Sequence, residues 1–214
     1  MSEELDYTRN NRRDFEKGQL NDGAFDNPVL LFRSWYQDAF DKNAADPHAV
    51  VLGTVNKENR PSSRIVYMRD MLEEGFIVYT NYLSRKGTEI TENPNVSMLF
   101  YWDVCERQVR IEGTIEKIDP LISDDYFKAR PRLSQIGAWA SEQSSIIPDR
   151  KTLEERVEYF EKKYPNEVPR PPHWGGLLIR PNYYEFWQGR LGRLHDRICF
   201  NAKGDSWEQY RIAP

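Results

Sequence analysis

Two short turns narrow the architectures open to this chain. Ala49–Val55 is rich in Val and Leu, Ser62–Arg69 is a second strand-like run and Phe76–Thr80 a third. The links between them are just six residues each, 56–61 and 70–75, and carry the turn signals Asn56-Lys57-Glu58-Asn59-Arg60 and Glu73-Glu74-Gly75. Parallel strands need a crossover of roughly a dozen residues or more, so antiparallel pairing is favoured over a parallel α/β sheet. Val96–Trp102 and Gln108–Ile118 read as a fourth and fifth strand. In the fifth, Val109, Ile111 and Ile115 alternate with Gln108, Arg110, Glu112 and Thr114, the period of a half-buried strand.

Helical signals surround these runs. Asp26-Asn27-Pro28 supplies a cap and a first-turn proline, and Val29, Phe32, Trp35 or Tyr36, and Ala39 or Phe40 follow at helical spacing, which predicts a helix over 28–42. Ser84 caps a short helix that Asn93-Pro94 stops. After Pro120 the chain turns helical to about Ala140, broken at Pro131. The box Thr152-x-x-Glu155 opens another helix whose apolar face is Leu153, Val157, Phe160 and Tyr164. A Pro-rich loop (165–172) precedes four strands, around 174–180, 183–188, 193–200 and 206–211. Residues 1–26 are polar and read as an arm, partly helical at best. The expected fold is a single α+β domain over 1–214: a mainly β, barrel-like core of about nine antiparallel strands with peripheral helices.

Composition excludes several classes. With 214 residues the chain is long enough to bury a core without disulfides, and its 13% aromatic content is not that of a disordered protein. Lys and Arg number 30 against 34 Asp and Glu, a net charge of −4, so general attraction to a nucleic acid is not expected. The 2 cysteines, Cys105 and Cys199, have no CxxC spacing, and the 3 histidines are not at ligand spacing, which leaves no metal motif. The longest strongly apolar run, Val96–Trp102, falls far short of the ~20 residues of a membrane span, and the first residues lack the apolar core of a signal peptide. The expected compartment is the cytoplasm.

Four constellations carry chemistry. Ser84-Arg85-Lys86 places two cations beside the free N–H groups of a helix start, which suits a phosphate; a charged first turn in solvent is the alternative. Tyr126 and Arg130 are four apart on a helix with Ser134 one turn further, a hydroxyl–guanidinium–hydroxyl cup that surface residues also produce by chance. Arg193, His195 and Arg197 share one face of the expected 193–200 strand, either a solvated face or an anion-binding one. Trp187, before Gln188-Gly189, is either core or the cover of a planar ligand. More than one anion-binding patch points to more than one phosphorylated ligand. No nucleophile elbow, Walker loop, GxGxxG or HExxH is present.

At these same residues the chain resembles the pyridoxine/pyridoxamine 5′-phosphate oxidase family. The resemblance runs from about Arg12 to Pro214 and rests on RIVYMR (64–69), VYTNYLSRKG (78–87), ERQVRIEG (106–113), YFKARPRLSQIGAWASEQSS (126–145) and EFWQGRLGRLHDR (185–197). It implies an FMN-binding split β-barrel and a homodimer with FMN at the subunit interface. The implied reaction oxidises pyridoxine or pyridoxamine 5′-phosphate to pyridoxal 5′-phosphate, with dioxygen reduced to hydrogen peroxide. For FMN it implies Arg64, Ile65, Val66, Tyr67, Met68 and Arg69 along one strand. Tyr79, Thr80, Arg85, Lys86, Gln108, Gln143, Ser144, Trp187 and Arg197 complete the implied flavin set. For the substrate it implies the arm segment Arg12, Arg13, Asp14 and Phe15 as a lid, with Arg69, Tyr126, Arg130, Ser134, Arg193, Leu194 and His195. Arg193 and His195 carry the catalytic expectation, and Asp46 matches a carboxylate near the site. Two departures stand out: Arg69 occupies a position that is usually Lys, and Arg13-Asp14-Phe15 replaces an arm segment usually ending in Tyr. Other split-barrel flavin reductases or oxidases, phenazine-precursor oxidases among them, and a non-catalytic FMN- or pyridoxal-phosphate-binding protein are the competing readings.

Overall fold

The computed structural model describes residues 14–23 and 25–214. Its strands are β1 (Ala49–Val55), β2 (Pro61–Met71), β3 (Phe76–Asn81), β4 (Asn95–Trp102), β5 (Arg107–Lys117), β6 (Trp174–Gln188), β7 (Asp196–Lys203) and β8 (Ser206–Arg211). Its helices are α1 (Pro28–Asp41), α2 (Arg85–Glu92), α3 (Pro120–Lys128), α4 (Arg132–Ala140) and α5 (Arg150–Lys163). The chain divides into two compact units: one of residues up to Pro47, Leu99–Ile111 and Tyr183–Pro214, the other of His48–Met98 and Glu112–Asn182.

The second unit holds β1, β2, β3 and the adjoining parts of β4, β5 and β6. Strands neighbour one another in the order β3-β2-β1-β4-β5-β6, and the start of β6 returns to β3, closing six antiparallel strands. The fold class expected from sequence, an antiparallel split barrel within an α+β frame, is the one observed. Alternation drives it: in β1, Val50, Leu52 and Thr54 are buried while their neighbours are only partly so. The β1–β2 register sets Leu52 opposite Arg64, and the β3–β6 register sets Val78 opposite Leu177. Nearly every residue of β3 is buried, Tyr79 alone being half-buried. Around Trp174, residues Phe127, Ile136 and Val168 form a separate apolar cluster that anchors α3 and α4.

The first unit is built on α1 and the β6–β7–β8 hairpins. Asn27 caps α1 by accepting from the Val29 N–H at 2.8 Å, with Pro28 in the first turn. The helix buries Leu31, Phe32, Trp35 and Ala39 and leaves Phe40 exposed, which settles the two alternatives on that face. Phe32 meets Phe100 at 5.0 Å between centroids, and Trp35 meets Phe186 edge-on at 5.3 Å. The described part of the arm has no helix. It is held by polar bonds instead: the buried Glu106 carboxylate accepts from the Glu16 and Lys17 N–H groups at 2.8 and 2.9 Å, and Arg211 donates to the Leu20 carbonyl at 2.8 Å.

Three expectations are corrected. Among the described residues there are eight strands, because 174–180 and 183–188 are one strand, β6. Pro181-Asn182 reads as a break, yet β6 pairs with β3 through Trp174–Ile179 and with β7 through Tyr183–Gln188, so Pro181 lies between these two stretches of pairing. The last helix begins at Arg150, and its cap is Asp149, which accepts from the Thr152 N–H at 2.8 Å. Finally, β7 begins at Asp196, not at 193. Gly192 and Arg193 both take φ of 65°, the left-handed region, and a tight turn over Leu191–Arg193 replaces the first residues of the expected strand.

Candidate functional site

A cavity of about 800 Å³ opens in the barrel unit, within the size range of ligand sites. One part of its wall is the start of α2. Ser84 caps that helix, accepting from the Gly87 N–H while its own hydroxyl donates to the Asn81 carbonyl at 2.7 Å. Gly87 is required there, because a Cβ would run into the Tyr82 carbonyl. Lys86 reaches back over this turn. Its Nζ donates to Thr80 Oγ1 at 3.1 Å, Ser84 Oγ at 3.3 Å and Gln143 Oε1 at 2.6 Å. Burial, aided by Arg64, pushes the Lys86 amine down to about 8.

Arg64 lines the cavity, but its guanidinium is firmly engaged. Nη1 donates to the Leu52 carbonyl at 3.1 Å and Thr54 Oγ1 at 2.6 Å, and Nη2 to Ser62 Oγ at 2.5 Å and Glu89 Oε2 at 3.2 Å. Ile65, Val66, Tyr67 and Arg69 line the same cavity, whereas the Met68 side chain is turned into the core. Arg69 falls where the β2–β3 register shifts between Met68 and Asp70, an irregularity of the kind that re-aims a side chain; its guanidinium lies 4.9 Å from the Tyr67 ring centroid. Arg85 is exposed and bonds Glu89 through Nε at 2.8 Å. Ser144, next to Gln143, has φ of 75°.

The hydroxyl–guanidinium–hydroxyl cup forms another part of this wall. Pro131 ends α3 and starts α4, yet Tyr126, Arg130 and Ser134 all line the cavity. The Arg130 guanidinium sits 4.3 Å from the Trp174 ring centroid, and its Nη1 is buried with no hydrogen-bond partner among the described residues. Burial lowers the Arg130 pKa; Tyr126 opposes that shift and the nearby Arg69 adds to it.

The remaining expected residues belong to the first unit. Trp187 is half-buried on β6, with the His195 ring 4.6 Å away between centroids; Phe15 meets both rings edge-on, each at 5.5 Å. His195 Nδ1 accepts from the Arg190 N–H at 3.1 Å, and burial, then Arg193, lowers its pKa. Arg193 and Leu194 are exposed. The three cations Arg193, His195 and Arg197 do not share a strand face: only Arg197 lies on β7. Arg197 is clamped by the buried Glu185 through Nε at 2.8 Å and Nη2 at 2.7 Å. Gln108 is half-buried on β5, and Asp14 and Asp46 are exposed. Arg12 and Arg13 lie outside the described residues.

Sequence reading missed Glu89, Glu185, Thr54, Ser62 and Trp174. Glu89 is one helical turn after Arg85, a spacing that marks an ion pair but does not reveal that the carboxylate is buried.

An antiparallel barrel with cationic and hydroxyl groups converging on one cavity defines a binder of phosphorylated ligands of split-barrel type. Residues 36–164 match the family model described as pyridoxamine 5′-phosphate oxidase. Residues 174–214 match the pyridoxine 5′-phosphate oxidase C-terminal dimerisation region. The chain belongs to the pyridoxamine 5′-phosphate oxidase family. It is 50% identical over 198 residues to the pyridoxine/pyridoxamine 5′-phosphate oxidase of Leptospira interrogans, covering 92% of each chain. It is 44% identical over 205 residues to that of Acaryochloris marina, covering 95% of this chain and 94% of the relative. Among solved structures, PhzG of Burkholderia lata in complex with tetrahydrophenazine-1-carboxylic acid superposes with a TM-score of 0.86 at 28% identity, over 90% of this chain and 95% of that one.

Proposed function

We propose that this chain oxidises pyridoxine 5′-phosphate and pyridoxamine 5′-phosphate to pyridoxal 5′-phosphate, with FMN as its cofactor and dioxygen reduced to hydrogen peroxide. It does so as a homodimer in the cytoplasm, each site taking residues from both copies. The observation that carries this reading is Arg130 Nη1, a buried donor without a partner in a cavity that Tyr126 and Ser134 also line. A buried guanidinium donor without a partner costs free energy, and a phosphate oxygen supplies what it lacks. The same cavity holds Lys86 beside a helix start, a second group suited to a phosphate. Two phosphate grips in one cavity fit one phosphorylated cofactor and one phosphorylated substrate. The names of relatives at 44% and 50% identity agree with the phosphorylated substrate. Among the described residues no helix is long and apolar enough to cross a membrane.

The donor set fits FMN. Lys86, Arg85 and Thr80 would hold its phosphate, Arg64 to Arg69 and Tyr79 would lie along it, and Gln108, Gln143, Ser144, Trp187 and Arg197 would complete its surroundings. When bound, FMN supplies the two-electron chemistry that makes the 4′ aldehyde. The residues themselves supply position and charge. Tyr126, Arg130, Ser134 and Arg69 would fix the substrate phosphate, and this remote binding orients the reacting carbon. Arg69, in place of the usual Lys, keeps the charge but presents a planar fork. Arg193, Leu194 and His195 would hold the substrate ring, with Arg12 to Phe15 as the lid.

An anaerobic titration tests the reading. Flavin absorbance should bleach on addition of pyridoxine 5′-phosphate and recover in air, with pyridoxal 5′-phosphate formed. A yellow protein that never bleaches would discard this substrate. The likeness to PhzG makes oxidation of a fused-ring acid the second reading, and the cup around Arg130 is what opposes it.

A further inference from the structure

We propose that Glu89 is a positioning residue for the cofactor phosphate: a buried carboxylate that locks Arg64 in place and turns Arg85 so that its fork stays open. The inference rests on the flavin reading above. Glu89 is 3% exposed although it sits on a short polar helix. Oε2 accepts from Thr54 Oγ1 at 2.5 Å, Ser62 Oγ at 2.6 Å and Arg64 Nη2 at 3.2 Å, while Oε1 accepts from Arg85 Nε at 2.8 Å. These bonds hold the carboxyl down at about 2 against the opposing effect of burial.

An exposed pair four residues apart on a helix needs none of this. Burying a carboxylate is costly unless it is fully bonded, and an apolar side chain usually serves stability as well or better. The arrangement is explained by what it does to the cations. Arg64 has four of its N–H bonds occupied by Leu52, Thr54, Ser62 and Glu89, so its charge is fixed in the cavity wall and only Nε–H is left to meet a ligand. Arg85 is held through Nε alone, which leaves both terminal nitrogens available for the bidentate grip that a phosphate favours. Lys86 is the next residue, on the same helix start. Glu89 also offsets one of these three positive charges, which would otherwise repel one another before any anion arrives.

The test compares two flavins on the apoprotein by fluorescence quenching: FMN, and riboflavin, which lacks the phosphate. In the wild type FMN should bind more tightly. Glu89→Leu should reduce that preference about tenfold or more, leaving riboflavin affinity nearly unchanged. Glu89→Gln, which keeps one accepting oxygen, should recover part of the preference. Thr54→Val supplies an arm that keeps the carboxylate and removes one of its bonds, and it should shift the preference in the same direction by less. A wild-type preference in Glu89→Leu, or in both Glu89→Gln and Thr54→Val where the leucine variant does not fold, overturns the proposal. Loss of both flavins together in Glu89→Leu marks a merely structural residue and overturns it too. A wild type that binds neither flavin, or both alike, brings down the flavin reading itself, and the proposal falls with it.

Discussion

The rings of Tyr79 and Tyr126 lie parallel, 3.7 Å apart between centroids and 6° from coplanar. Tyr79 is on β3, one residue before Thr80, and Tyr126 is near the end of α3 in the cup that holds Arg130. The stack continues onto Trp174, 5.5 Å from Tyr79. Burial, helped by the neighbouring Tyr126, pushes the Tyr79 phenol up to about 12, so it stays protonated at working pH. Tyr126→Phe should therefore keep the stack and lose only a hydroxyl. The expected result is a rise in KM for pyridoxine 5′-phosphate of about tenfold with FMN affinity unchanged. Tyr126→Ala removes the stacking surface as well and should weaken both. Steady-state kinetics with a flavin titration separates the two, and an unchanged KM in Tyr126→Phe takes that hydroxyl out of the cup.

Arg130 is placed against stability, since its Nη1 is buried without a partner among the described residues. Arg130→Met, similar in length and apolar against Trp174, should leave the ligand-free protein as stable as the wild type or more so. Substrate KM should rise about 10- to 100-fold, the range for a lost hydrogen bond to a charged group. Thermal melts with and without pyridoxal 5′-phosphate check both halves: the wild type should gain Tm on adding ligand and the variant should not. An equal gain in both would show that the phosphate goes elsewhere.

Where the chain is regular, local rules carried the reading. Asn27-Pro28 and Ser84 cap the helices expected of them, and turns of a few residues forced the antiparallel order of β1, β2 and β3. The errors fall where tertiary context overrides local preference. Pro181 looks like a strand break but lies between two stretches of pairing, and Arg193 reads as strand but sits at φ of 65° after Gly192. Tyr126, Arg130 and Ser134 could be picked out because hydroxyls and a guanidinium at one-turn spacing are visible by type, although surfaces produce the same pattern by chance, and it takes the fold to put all three on one cavity. Glu89 and Glu185 could not be, because a buried carboxylate and a solvated one have the same letter. Only the barrel brings Thr54, Ser62 and Arg64 onto Glu89, and only β6 and β7 bring Glu185 against Arg197.

On the proposed flavin reading, Lys86 should link flavin affinity to pH. Its amine is lowered to about 8, below the ordinary lysine value, so between about 8 and that value the folded apoprotein binds fewer protons than the unfolded chain. Apoprotein stability should then rise with pH across this window, and Lys86→Met should remove that rise. Affinity runs the other way, because the phosphate needs the protonated amine: the Kd for FMN should climb by up to about tenfold per pH unit above 8. Titrations of FMN and riboflavin between pH 7 and 10 provide the check. If FMN affinity stays flat there, or riboflavin follows the same curve, Lys86 is not on the phosphate.

His195 is set up as a neutral donor. The Arg190 N–H points at Nδ1, which must therefore accept, and the ring proton resides on Nε2. Burial and the Arg193 charge lower the pKa, so protonation comes at lower pH than for an ordinary histidine and has to break the bond from Arg190. The midpoint of the acid limb of activity should therefore lie below the ordinary histidine value of about 6.5. Glutamine places its amide N–H where Nε2–H lies, whereas asparagine places it nearer Nδ1. His195→Gln should retain about tenfold more kcat than His195→Asn, the value of one hydrogen bond to a charged or strongly polar partner. Arg193→Ala, by contrast, should lower kcat and leave FMN affinity intact. If asparagine is the better replacement, or activity falls through pH 6.5 in the wild type but not in His195→Gln, then His195 works as a base and not as a donor.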